Sequence, residues 1–125
     1  MRIFKIKPFH KWAKKIGLSD KDLVHSVYEI QSGNVEANLG GSLYKKRIAI
    51  KGKGKRSGAR TILSYKSNHR TIFLYAFEKN QRSNITDNEQ KALKELGGFL
   101  LHLNDAEINK RLADKSLYEV RKEVM

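Results

Sequence analysis

Residues 50–60 read IKGKGKRSGAR, with three glycines among five cationic side chains, directly ahead of the apolar run Thr61–Tyr65. Glycines interleaved with lysines are the raw material of a loop whose backbone amides wrap a phosphate. Two nucleotide templates fail on spacing. A Walker A loop needs a glycine, four residues, then Gly-Lys-Ser/Thr, but five positions after Gly52 stands Ser57 and five after Gly54 stands Ala59. The dinucleotide fingerprint needs a third glycine where Ser57 stands, and no βαβ array follows it. The remaining reading is a glycine-permitted, mobile hairpin whose Lys51, Lys53, Lys55 and Arg56 meet the phosphates of a polyanion.

Other chemistries find no support in residue spacing. His10, His25, His69 and His102 form no i, i+4 pair, and there is no cysteine, so no metal site is expected. Ser57 and Ser64 lack a GxSxG setting. The acids lie mainly on predicted helices beside basic residues, at spacings that suit surface pairing. The cluster Lys79-Asn80-Gln81-Arg82 follows a predicted strand and reads either as a solvated turn or as a phosphate clamp. Phe73, Tyr75 and Phe77 read as core, or as a platform in which Tyr75 stacks on a splayed base.

Charge narrows the partner. The net charge is +13, and its distribution is uneven: residues 44–82 hold twelve Lys/Arg and one acid, Glu78. Residues 1–43 hold seven against four, and 83–125 hold seven against eight. Such a skew fits a polyanion partner, with counterion release supplying much of the affinity. A membrane surface fits less well, because no basic amphipathic helix carries the charge. No apolar run approaches the roughly 20 residues of a membrane span, and the absence of cysteine suits a reducing cytosol.

These side chains need elements to position them. Residues 1–6 are predicted as a short strand. Pro8 opens a helix with Phe9, Trp12, Ala13 and Ile16 on one face, ended by Gly17. Ser19 with Asp22 caps a second helix that ends near Gly33, so the two form a helical hairpin. Residues 34–42 read as a loop. Leu43–Ile50, Ala59–Lys66 and Arg70–Phe77 read as strands of a meander with a tight turn at 66–70. Alternation puts Lys45, Arg47 and Ala49 on one face, and Arg60 with Ile62 and Ser64. One side of the sheet is expected to pack on helices while the other offers Lys45, Arg47 and Arg60 to a ligand. A structural carboxylate for Arg60 would fall to Glu78. Thr86 with Glu89 caps a helix that Gly97-Gly98 should weaken or kink, and Asn104 with Glu107 caps another. The tail LYEVRKEV is unassigned.

The succession SGAR–TILSYK–turn–RTIFLYAFEKNQRSNIT, followed by a helix opening with Asp87 and Glu89, resembles the RelE/HigB-like toxins of bacterial toxin–antitoxin pairs. The resemblance extends upstream through GLSDKDL, EIQSGNVEANLGGSLYKKRIAI and the GKGK loop, over roughly residues 1–100. It implies one α+β domain over residues 1–125, with a twisted, mainly antiparallel sheet, an N-terminal helical hairpin and a helical C-terminal extension from 86. It implies a small cytoplasmic endoribonuclease that cuts mRNA on the ribosome by metal-free attack of a 2′-hydroxyl. It also implies a cognate antitoxin, often with a helix-turn-helix DNA-binding domain. Arg60 matches the family's phosphate-binding arginine; Lys45 and Arg47 match its basic strand, and Lys79 and Arg82 its basic positions after the last strand. Thr86 stands where well-studied relatives have a catalytic tyrosine, and Asn80 where they have a basic residue, which leaves Tyr75 or Tyr65 as substitutes. Two competing readings stay open: a non-catalytic RNA- or DNA-binding module, and a ParE-like toxin that poisons a topoisomerase on the same fold.

Overall fold

In the computed structural model, backbone is described for residues 1–50 and 54–122, and side chains for 1–50 and 58–122. The chain runs β1 (Arg2–Ile6), α1 (Lys7–Ile16), α2 (Asp20–Gln31), β2 (Ala37–Gly40), β3 (Leu43–Ile50), β4 (Gly54–Lys66) and β5 (Arg70–Glu78). It ends with α3 (Asp87–His102), α4 (Asp105–Ala113) and β6 (Leu117–Glu119). The helix starts follow from local chemistry. The Ser19, Thr86 and Asn104 side chains each accept a bond from the backbone amide of the third residue of their helix, whose carboxylate in turn accepts one from the cap amide. Gly17, at φ 78°, closes α1.

Six strands form one sheet in the order β2-β3-β4-β5-β1-β6. The β3–β4–β5 meander is antiparallel, and β1 joins β5 in parallel. Two expectations need extending here. The segment 34–42 is not all loop: Ala37–Gly40 is β2, paired to β3 through a turn with Gly40, Gly41 and Ser42 at positive φ. The helical extension from 86 also ends in a strand, because β6 pairs with β1. In addition, β4 begins at Gly54, ahead of the expected start at Ala59.

Both faces of the sheet are covered, which corrects the expectation of one open face. Leu23, Val27, Phe9 and Ala13 of α1 and α2 pack on Ile3, Ile48, Leu63 and Phe73. Leu100, Leu101 and Ile108 of α3 and α4 pack on Phe4, Leu43, Ile62, Ile72 and Leu74. A β-bulge decides which aromatic faces which core. Ile62 pairs with Tyr75 and Leu63 with Phe73, so Leu74 is left over. Phe73 therefore joins the α1/α2 core, while Leu74 and Tyr75 both join the α3/α4 core. Phe73 and Tyr75 do not share a face as plain alternation predicted.

Gly97 does not kink α3, which runs unbroken to His102. It lets the helix approach the sheet: a Cβ there would lie 1.8 Å from Ser64 Oγ and 3.1 Å from Leu74 Cδ1. Past the helix end, Arg70 Nη1 donates to the carbonyls of Leu100, Leu101 and Leu103 at 2.9, 3.3 and 2.8 Å. These are carbonyls left without partners at a helix C-terminus.

Candidate nucleic-acid interface

Strand register brings the basic residues into two cross-strand rows on the α3 face. Lys45, Ile62 and Tyr75 form one row, and Arg47, Arg60 and Phe77 the next. Side chains directly opposite in antiparallel strands lie on the same face and within reach of one another. At the β3 end of both rows stands Glu36, held in place because its amide donates to the Lys45 carbonyl. Arg47 Nε donates to Glu36 Oε1 at 2.7 Å, and Lys45 Nζ lies 3.4 Å from Oε2. Arg60 Nε sits 2.8 Å from Oε1 as an ion pair, but without hydrogen-bond alignment.

Arg60 is 4 % exposed, and its Nε and Nη1 are buried without hydrogen-bond partners. Its carboxylate partner among the described residues is Glu36, from the segment before β2, and not Glu78. Burial pushes the Glu36 carboxyl up, but the Arg47 hydrogen bond and the charges of Arg60 and Lys45 outweigh it. The group is held below its ordinary value, so it is ionised at neutral pH. Glu36 and Arg47, with Asn34, Val35 and Lys46, line a cleft of about 350 Å³.

A second cluster lies at the start of α3. Arg82 donates to both Glu89 carboxylate oxygens, at 3.0 and 2.6 Å, and to the Tyr75 hydroxyl at 3.0 Å. Its guanidinium lies over the rings of Tyr75 and Phe77, 5.9 and 5.8 Å from their centroids. The Glu89 hydrogen bonds, then that of Tyr75, raise the Arg82 pKa above its ordinary value. Arg82, followed by the Thr86 amide, lowers the Glu89 carboxyl to about 2. Asn84 joins the two clusters: its side chain accepts from Lys45 Nζ at 3.4 Å and its carbonyl accepts from Arg82 Nε at 2.9 Å.

The structure thus gathers Lys45, Arg47, Arg60, Tyr75 and Arg82. Lys79 donates to the Ser83 carbonyl of its own loop at 2.9 Å. Tyr65 packs on the α1/α2 core, on the other face from Tyr75. Lys51 and Lys53, and the side chains of Lys55 and Arg56, lie outside the described residues. Not every cation of the basic segment faces a ligand: Lys46, 2 % exposed, pairs with Glu29 at 2.9 Å, and Arg70 serves α3. Sequence reasoning missed Glu36 and Asn84. A hairpin read from Gly40-Gly41 would have brought Glu36 beside Lys45–Arg47.

Among the described residues no group of three or more His, Asp or Glu side chains is placed to hold a metal ion. Among the described residues no helix is long and apolar enough to cross a membrane. A search of curated proteins gives no match. The family model described as the RelE toxin of the RelE/RelB toxin–antitoxin system matches residues 1–120. The chain belongs to the RelE toxin family: it is the toxin of a toxin–antitoxin system, and that membership implies a cognate antitoxin.

Proposed function

We propose that this toxin is an endoribonuclease of HigB-like type that cleaves mRNA on the ribosome in the cytoplasm and so inhibits translation. Its whole length acts as one domain, and its antitoxin carries a helix-turn-helix DNA-binding domain. The observation that carries the reading is the convergence of Lys45, Arg47 and Arg60 in two neighbouring rows of one sheet face, with Arg82 over the Tyr75 and Phe77 rings of the same rows.

Cleavage proceeds by attack of the RNA's own 2′-hydroxyl, which loses its proton to solvent, on the adjacent phosphate; this gives a 2′,3′-cyclic phosphate, and the freed 5′-oxygen takes up a proton. This reaction needs alignment, proton transfer and stabilisation of charge on the pentavalent phosphorus. Arg60 and Arg82 stay protonated and serve as charge stabilisers. The Tyr75 hydroxyl accepts from Arg82, so its own proton remains free to be given to the leaving 5′-oxygen. Lys45, Arg47 and the basic hairpin with Lys51, Lys53, Lys55 and Arg56 hold the flanking phosphates, and Lys79 meets the backbone beyond the last strand. No metal takes part.

Primer-extension mapping of mRNA ends on purified ribosomes tests the reading. The wild-type chain is expected to produce new 5′ ends in chelator at fixed ribosome integrity. Arg60→Lys is expected to cut at least tenfold more slowly, because a point charge does not reproduce two-pronged phosphate contact. Wild-type chain that leaves mRNA intact, or Arg60→Lys that cuts at the wild-type rate, overturns it. A topoisomerase-poisoning toxin on the same fold would leave mRNA intact and trap cleaved DNA.

A further inference from the structure

The Glu36 carboxylate is a small planar anion in contact with three cationic side chains drawn from two strands. Carboxylate and phosphate oxygens accept from guanidinium groups with the same two-pronged geometry. Glu36 is also partly open, its side chain 20 % exposed, and it lines the cleft beside Arg47. Arg60 behind it is almost wholly buried and has donors unused. A ligand anion coming through that cleft meets Glu36 before it meets Arg60.

We propose that Glu36 is an internal stand-in for phosphate: in the RNA-free toxin its carboxylate fills the anion site formed by Lys45, Arg47 and Arg60, and an RNA phosphate displaces it. The proposal rests on the RNA-binding reading above and deepens it. The role is one of positioning. Three like charges crowded on neighbouring strands β3 and β4 would otherwise splay apart, and the carboxylate keeps them converging on the place where the phosphate must sit. RNA then has to expel one negative charge to bind, so Glu36 lowers affinity for any single phosphate and favours strands that engage several cations together.

The test uses the intact chain and a 2′-O-methylated RNA oligonucleotide that cannot be cut, with affinity measured over a salt series. Glu36→Gln is expected to bind about fivefold tighter at about 0.1 M salt, its log–log salt slope steeper by about 0.7, the contribution of one more single-strand phosphate contact. Unchanged or weaker binding by a folded Glu36→Gln chain overturns the proposal. A crystal structure of the wild-type chain with the same oligonucleotide covers the case in which the variant does not fold. It is expected to show a phosphate oxygen against Arg47 Nε and Arg60, with the carboxylate turned away; Glu36 still seated there with RNA bound overturns the proposal. Tighter binding by Glu36→Gln, beside a wild-type chain that cuts no mRNA, supports the stand-in and sinks the nuclease reading, so the two failures are distinguishable.

Discussion

Arginine has three different tasks here, each set by its neighbours. Arg70 is bonded to backbone carbonyls and holds the α3–α4 turn. Arg60 is buried against one carboxylate with donors to spare. Arg82 is held by Glu89 and Tyr75. The Arg82–Glu89 link makes a prediction with a definite sign. The folded-state pKa of Glu89, about 2, lies below its ordinary 4.5. A depressed carboxyl contributes stability that is present above the ordinary value and is lost as pH falls through the folded one. Melting temperature measured from pH 6 down to pH 2 should therefore fall more steeply in wild type than in Glu89→Gln, with the two curves converging at the acid end. Parallel curves would mean that the ion pair adds no stability.

Among the elements, α3 shows two neighbouring glycines with opposite consequences. Gly97 faces β4, and a methyl group there would enter the space of Ser64 and Leu74. Gly98 has nothing within 4 Å of where its Cβ would be. Gly97→Ala should cost about 1–3 kcal/mol, because the helix must lift off the sheet to relieve the overlap. Gly98→Ala should stabilise by about 0.5–1 kcal/mol, because alanine loses less backbone entropy in a helix. Urea unfolding of the two variants checks both signs. A Gly97→Ala chain at least as stable as wild type would mean that Gly97 is not at the helix–sheet contact. Lifting α3 should also disturb Glu89 and with it Arg82, so Gly97→Ala should slow the proposed mRNA cleavage more than its loss of stability alone explains.

Across the whole molecule, a formal charge of +13 is less available than it looks. Lys5 pairs with Asp20 at 2.8 Å, Lys46 pairs with Glu29, and Arg70 is spent on carbonyls. On the proposed reading, the field offered to RNA comes from Lys45 and Arg47 on β3, which share the single carboxylate of Glu36, and from the basic stretch that follows in sequence. Replacing Lys53 and Lys55 together with glutamine should reduce the salt slope of RNA binding by about 0.7 for each single-strand phosphate contact removed. Lysine is seldom buried without a partner, so the melting temperature should hardly change. A double variant with the wild-type slope would take the hairpin out of the interface.

Most of the local architecture was legible in the sequence. Ser19, Thr86 and Asn104 mark their helices because a capping box acts between residues three apart. The β3, β4 and β5 runs and the turn at 66–70 were readable from alternation and turn residues. The basic character of 44–82, and through the extended resemblance the family itself, needed no coordinates. Tertiary structure alone decided how the site is assembled. The bulge at Leu74 reverses the phase of β5 and sends Tyr75 towards Arg82 instead of towards Phe9. The pairing of β2 with β3 delivers Glu36 to Arg60, a partner far away along the chain. Such contacts depend on strand register, and a one-residue slip turns every side chain to the opposite face. Composition and short-range spacing carry no record of that register, so they nominate basic residues as candidates without revealing that a carboxylate already sits among them.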